Sequence, residues 1–387
     1  MRPAELRWDW RDILSAGRRA LSLRKMALHA RGVVLAYLCT VVFFYVGCMA
    51  SGMPFWLVWR DFGLSVVLMV GAPPPFALPR VALSAAGIVS LLVLLHYGTA
   101  VSRLCYQQLR GDYFYSARSA LRYAGRRSRD AIGALTGLMG VVVLIRLAAW
   151  AGGAVGRIPV VGEWLTAVGS LFVVAGFVAG LVVSVGLATL LVGVVAAPSV
   201  AGVVGVGGVE TTYQLVLMVW NQPWRLAVYE TALAVLQFVG GAVFYAMGAW
   251  GFFTVLDSVA AGYPPLEDAF QTAAHLVWGK SLPLGFGMGW RFQRVTGLSA
   301  AMSAATVVST VSFLLVTCVW ASYVLSIGSV GNTLLYINLR RRIRGDNVLE
   351  VVAEARSDEE DGGPSEPPSG PTESPDARPA EASGVER

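Results

Sequence analysis

Arg146 is the residue whose position most needs a chemical explanation. It stands about fifteen residues into the apolar run 131–152. A charge at such depth meets an opposite charge, lines a wet cavity, or snorkels to the nearest interface. The acids able to pair with it are Asp257 and Glu163, near the outer ends of other runs, and Glu230, near an inner end. Snorkelling is the alternative, and Trp150, four residues on, fits an interface nearby. His96, Gln237 and Asn332 also fall in or beside apolar runs, where such side chains serve mostly as hydrogen-bonding links between helices.

A second polar set lies between two apolar runs, in PPLEDAFQTAAHLVWGK (264–280). Pro265 suits a first helical turn, Glu267 and Asp268 complement a helix N-terminus, and Gly279 ends the pattern. Leu266, Ala269, Phe270, Ala273, Ala274, Val277 and Trp278 share one face, while Asp268, Gln271 and His275 share the other. Such a helix either rests on the membrane or covers a cavity between spans.

The remaining chemistry is sparse. The four cysteines (Cys39, Cys48, Cys105, Cys318) form no CxxC pair, and with His29, His96 and His275 they give no metal-ligand spacing. The glycine-rich string 202–208 lacks the Lys-Ser/Thr of a phosphate loop. No Ser/His/Asp set or carboxylate pair stands at useful spacing. The expectation is a protein with no catalytic, cofactor-binding or metal-binding residues and no bound cofactor.

The charged residues that do recur are arginines. WDWRDILSAGRRALSLRKMALHA (8–30) carries Arg18, Arg19, Arg24 and Lys25. YFYSARSALRYAGRRSRDA (113–131) carries Arg122, Arg126, Arg127 and Arg129. A third segment, 209–230, is less basic but sets Trp220 and Trp224 beside Arg225. The segments begin about 100 residues apart, as a thrice-used unit of amphipathic helix plus two spans would. Arg340, Arg341, Arg342 and Arg344 follow the last apolar run. Aromatic and aliphatic groups entering the headgroup boundary while arginines meet phosphates would lay such helices on a membrane surface. Apart from Arg225, these twelve basic residues are candidate lipid-headgroup contacts, and anchoring alone also explains them.

The strings GTAVSRLCYQQLRGD (98–112), ALRYAGRRSRD (120–130), APSVAGVVGVGGVETTYQLVLMVWNQPWRLAVYE (197–230) and LLYINLRRRIRGDNVLEV (334–351) occur in an order that resembles uncharacterised bacterial polytopic membrane proteins. More distantly, it is similar to the multi-helix membrane domain attached to some glycerophosphodiester phosphodiesterases. Pro198 and Pro223-Trp224-Arg225 match the pattern of a span ending in Pro and a next span opening on a Pro-Trp-Arg element. The resemblance implies a shared fold, carries no catalytic residues, and includes no phosphodiesterase domain.

Elements that could hold these residues are set by hydropathy. Apolar residues make up 56% of the 387 and charged ones 14%, against about 25% charged in a typical soluble domain. No charge occurs from Trp164 to Gly208 or from Leu298 to Leu339. Six runs approach or exceed the roughly 20 residues a bilayer core requires: 33–52, 81–101, 131–152, 164–197, 226–256 and 298–328. The fourth, about 51 Å long as a helix, is too long for one upright span. The stretch 55–71, broken by Arg60-Asp61, reads as an interfacial or re-entrant piece. Gly133/Gly137, Gly176/Gly180 and Ser322/Ser326 are small-xxx-small pairs for close helix packing.

Lys and Arg number twenty on one set of connections and six on the other. This places both termini in the cytoplasm of a bacterial inner-membrane protein. The net charge of +6 combines a body at +13 with an acidic tail. Because the positive charge flanks apolar runs, membrane lipids rather than nucleic acid are the expected partners. The expected fold is all-α: a polytopic bundle of about six spans with amphipathic interfacial helices on the cytoplasmic side. A basic segment (1–32), a six-helix domain (33–350) and a disordered acidic, Pro-rich tail (351–387) divide the chain. The expected function is a non-enzymatic membrane scaffold or interaction subunit, contacting lipids, protein partners or a second copy. The competing class is a transporter or permease subunit with a polar path near Arg146 and the 265–278 helix as outer gate.

Overall fold

The computed structural model describes residues 6–71, 73–155, 158, 162, 168–169, 173–279, 293–345 and 348–349. The tail from 351 lies outside the described residues, as do Glu163 and Lys280. The chain divides into two units at Gly345, and the first holds all the helices discussed below.

Among the described residues the regular structure is helical throughout. The helices are α1 (Trp10–Leu14), α2 (Ala16–Ala20), α3 (Leu23–Ala50), α4 (Phe55–Phe62), α5 (Val66–Gly71), α6 (Ala77–Leu109), α7 (Ala117–Val155), α8 (Val173–Val204), α9 (Gly208–Asn221), α10 (Pro223–Gly262), α11 (Pro264–Trp278) and α12 (Ala300–Arg344). Six of them, α3, α6, α7, α8, α10 and α12, are long and apolar enough to cross a membrane. The protein is a multi-pass, all-α membrane bundle.

Two helices form its centre. α6 packs against α3, α7, α8 and α12, and α12 packs against α3, α6, α8, α10 and α11. Small residues allow the approach. A Cβ placed on Gly202 of α8 would lie 2.8 Å from Ser102 Cβ and 3.0 Å from the Arg103 amide nitrogen of α6. Gly47 of α3 meets α6 in the same way at the opposite end, where a Cβ would lie 2.6 Å from Ala82 Cβ. On α12, Gly328 and Gly331 admit Gln237 and Leu233 of α10. Without water to drive helices together, such backbone proximity and its dispersion contacts supply much of the association.

The expected arrangement of surface helices changes in detail. Residues 117–131 are the first turns of the 39-residue α7, continuous with its span rather than a separate helix on the surface. Between Ala117 and Asp130 only Gly125 weakens a helix, and Ala, Leu and Arg favour one. By contrast α9 is separate from α10 because Pro223 opens a new helix. α1 and α2 contact α10 and α12, with Ile13, Ala16 and Ala20 fully buried. The three segments therefore do not repeat one design.

The fourth span continues past the expected end at 197, as far as Val204, while most of 164–172 lies outside the described residues. The helix runs through Pro198, which forfeits one backbone bond, and the Pro198 ring is seated against Gly98 of α6. The extra length lies beyond the proline, where it packs on α6.

The stretch 55–71 forms two short helices, α4 and α5, joined at Gly63, whose φ of 53° is open to glycine. The Tyr45 hydroxyl donates to the Gly63 carbonyl (2.6 Å) and the Tyr37 hydroxyl to that of Leu64 (2.8 Å). Tyr45 and Tyr37 are about 8 and 20 Å along α3 from its end at Ala50. The tip of the hairpin thus reaches well below that end, so the piece is re-entrant. Irregular backbone is tolerated at such depth where protein satisfies it, as the two tyrosines do here.

Candidate functional site

At the end of the bundle where the chain starts, α12 finishes beside the N-terminal segment. The Asp12 carboxylate accepts from the amides of Arg7 (3.2 Å), Trp8 (2.7 Å) and Asp9 (3.3 Å), which tightens residues 7–12 into a knot. α12 holds the knot with three side chains. Asn338 Nδ2 donates to the Asp9 carbonyl (3.4 Å), Arg342 Nη2 donates to that of Trp8 (2.9 Å), and the Arg341 guanidinium sits 3.9 Å over the Trp8 ring. On the neighbouring side a chain of contacts joins α9 to α12. Arg340 donates to the Tyr336 hydroxyl (3.2 Å), that hydroxyl to Gln214 Oε1 (2.8 Å), and Gln214 Nε2 to Glu210 (2.6 Å). Arg344 pairs with the same Glu210 at 3.4 Å. Arg103 fastens α6 to the end of α8, donating to the Gly202 and Val203 carbonyls between the Tyr106 and Tyr123 rings. The cation there faces the negative end of the α8 dipole.

The expected headgroup contacts therefore fall into two groups. Arg18, Arg122, Arg126 and Arg129 are exposed and have no partner among the described residues, and Arg127 is exposed beside Asp130. Arg24 is exposed while donating to the Tyr113 carbonyl. The other residues are tied into the fold. Lys25 is a correction: it is 2% exposed and its ammonium donates to the Arg19 carbonyl (2.9 Å), so it cannot meet a headgroup. Arg19 binds Ser15, and Arg340, Arg341, Arg342 and Arg344 hold the N-terminal knot and α9.

Just above this end lies a buried polar layer that the sequence did not disclose. His29 Nε2 of α3 is 3.0 Å from Ser329 Oγ of α12. Ser199 of α8 is 3.2 Å from Ser102 Oγ of α6 and 3.5 Å from both the Ser329 carbonyl and the Thr333 hydroxyl. Ser102, Ser199 and Thr333 are fully buried, and His29 is nearly so. A His–Ser pair suggests nucleophilic chemistry, but a Cβ on Gly98 would lie 3.4 Å from Pro198 and 3.7 Å from Ser329 Oγ. The four helices are closed around the pair, and a substrate has no room. The layer joins helices by hydrogen bonds. Its signal was Gly and Ser one helical turn apart, at Gly98/Ser102 and Ser199/Gly202, which a single sequence does not assign to facing surfaces.

Arg146 lies elsewhere. Its side chain is exposed on the outside of α7 and has no ion pair or hydrogen bond among the described residues. Asp257 is exposed on α10, the Glu230 carboxylate has a buried oxygen without a partner, and neither meets Arg146. Ser128, bonded to His96 of α6 at 3.1 Å, fixes the register of α7 near the polar layer. Arg146 is 18 residues, or about 27 Å, further along. In a core of about 30 Å it comes close to the opposite interface, where Trp150 is 68% exposed.

At that opposite end a second re-entrant element appears. α11 matches the expected helix, with its buried face at Ala269, Ala273, Ala274, Val277 and Trp278, and ends at Gly279 (φ 77°). Its C-terminal end reaches inward along α12. Trp278 Nε1 donates to Thr317 Oγ1 (3.0 Å), and Thr317 is about 25 Å along α12 from its start at Ala300. Its end also touches the α4–α5 tip, where Ser65 donates to the Val277 carbonyl (3.2 Å) and Gly63 faces Leu276.

These features define a polytopic α-helical membrane protein with a sealed polar end and two re-entrant elements meeting at the other. The chain matches no protein-family model, no curated protein and no solved structure with which it was compared.

Proposed function

We propose that the protein is a non-enzymatic scaffold or interaction subunit of a bacterial cytoplasmic membrane, with both termini cytoplasmic, holding anionic lipids and partner proteins at its basic end. The observation that carries this reading is the construction of that end. The N-terminal knot, α9 and the last turns of α12 are bonded into one body, and beside it Arg18 of α2 and Arg122, Arg126 and Arg129 of α7 project without partners among the described residues. Arginines left free on a rigid support suit phosphate groups, whereas those needed by the fold are already paired. The excess of twenty Lys and Arg against six supports the cytoplasmic placement. Open glycine faces supply a second contact. A Cβ on Gly133, Gly137, Gly176 or Gly180 would meet nothing within 4 Å, so α7 and α8 can accept another helix, of a partner or a second copy. The shared fold with uncharacterised bacterial polytopic proteins belongs to the same proposal.

The transporter reading relied on a polar path at Arg146, and the outward position of that side chain favours the scaffold instead. The test is to purify the full chain and an Arg122→Gln/Arg126→Gln/Arg129→Gln variant in native-lipid particles and to compare the lipids that accompany them. Depletion of anionic lipid from the variant supports the reading. An unchanged lipid and protein complement overturns it.

A further inference from the structure

Between α10, α11 and α12 lies a hollow of about 430 Å³, and its wall includes Tyr245, Gly248, Trp278, Phe313, Val316 and Trp320. Aromatic pairs bound it at two levels. Trp278 stacks on Phe313 with centroids 5.0 Å apart, and Trp320 meets Tyr245 edge-on at 5.7 Å. Phe313 and Trp320 are seven residues apart on α12, so the levels are about 10 Å apart. Both indole N–H groups are used within the fold, that of Trp278 by Thr317 and that of Trp320 by the Gly241 carbonyl (2.9 Å). The wall then offers one free polar group, the Tyr245 hydroxyl, which has no partner among the described residues. Val316 at the rim is exposed on a membrane-spanning helix, so the mouth opens sideways towards lipid.

Chemistry and size select the occupant. Water needs two to four polar partners and the wall does not provide them. With about 10 Å between its aromatic levels and Trp278 of α11 on its wall, the hollow offers a partner's span or a second copy's only about two turns of contact, whereas one acyl chain can lie within it. An empty hollow would forfeit dispersion contacts along its walls. The volume falls in the range of about 300–1,000 Å³ usual for pockets that hold discrete small ligands. We propose that the hollow is a specific site for one acyl chain of a bilayer phospholipid, entering sideways between α10 and α12 beneath the re-entrant α11. This site is independent of the basic end and stands or falls separately from it.

Gly248 provides the test, because a Cβ there meets nothing within 4 Å and a larger side chain would occupy the hollow without displacing the helices. The full chain is reconstituted with phosphatidylcholine bearing a photoactivatable group midway along one acyl chain, illuminated, and mapped by peptide mass spectrometry. The expected labels concentrate on 244–249 and 313–320 and fall by about ten-fold, or 1.4 kcal/mol of binding, in Gly248→Leu. Gly87→Leu on α6, equally open but away from the hollow, should keep them. Val316→Trp, which fills the hollow from the other wall, gives a second reading should Gly248→Leu not fold. Labels spread evenly over the lipid-facing helices, labels that persist in both filled variants, or cross-links to another protein chain would each overturn the proposal.

Discussion

Gly202 and Gly125 are the same residue type in helices of the same bundle, yet only Gly202 is constrained. A Cβ at Gly202 would press on the backbone of α6, while one at Gly125 meets nothing within 4 Å. We expect Gly202→Ala to destabilise the protein by about 1–3 kcal/mol through overpacking. Gly125→Ala should be neutral or stabilising by up to about 1 kcal/mol, since alanine is the better helix former. Thermal unfolding of both variants in one detergent checks the pair, and equal melting temperatures would contradict the α6–α8 contact. Ser199 is another residue defined by its neighbours, since it touches Ser102, Ser329 and Thr333 together. Hydrogen bonds between membrane helices average about 0.6 kcal/mol and reach about 1.7, so Ser199→Ala should cost an amount in that interval. A negligible change in melting would mean that the layer does not hold the helices. None of these pairings was legible in the sequence. Residue type marks a side chain as able to bond, but the facing helix decides whether it does. Lys25 shows the same limit, because its basic neighbours placed it on a surface and burial against Arg19 removes it.

At the scale of elements, much more was readable. Long uncharged runs cannot be stable in water, so the six spans followed from length and hydropathy alone, and α11 followed from Pro265, its acidic first turn and Gly279. The misreadings have physical causes. Pro198 looked like an end of the fourth span, but a proline whose ring fits against Gly98 leaves the helix continuous. The basic segment 113–131 looked like a surface helix, but arginines do not stop a helix and α7 simply extends. The depth of 55–71 was not legible either, because it depends on tyrosines of another helix. Removing both hydroxyls, in Tyr37→Phe/Tyr45→Phe, leaves the Gly63 and Leu64 carbonyls without those donors. An unpaired buried polar group costs about 1–3 kcal/mol, so the α4–α5 tip should open about 5-fold to 150-fold more often. Amide exchange should accelerate across 55–71 and stay unchanged in α6. Uniform acceleration would show instead that the tyrosines support the whole bundle.

Across the whole molecule the two ends have opposite characters. One is basic, bonded through its N-terminal knot and closed by the His29–Ser329 layer, while the other holds the re-entrant elements and the apolar hollow. The knot ties the start of the chain to the end of α12, so both belong to one side of the membrane. The proposal that this side is cytoplasmic rests on the arginine bias, and single cysteines test it. Cys48 and Cys105 are buried, Cys39 and Cys318 half-buried, so each variant is made with these four replaced by alanine. Tyr263, exposed between α10 and α11, and Arg126, exposed on α7, lie at opposite ends. A membrane-impermeant maleimide should label Tyr263→Cys in spheroplasts and Arg126→Cys only after lysis. Arg146→Cys should label with Tyr263→Cys, because about 27 Å of α7 separates Arg146 from Ser128. The same position fixes the energetic expectation. An exposed, unpaired arginine near an interface contributes little, so Arg146→Gln should change stability by no more than about 0.5 kcal/mol. Labelling of Arg126→Cys before lysis would invert the molecule and remove the basis for a cytoplasmic lipid-holding face. Labelling of Arg146→Cys only together with Arg126→Cys would leave the topology standing and place that arginine on the wrong side of the bilayer.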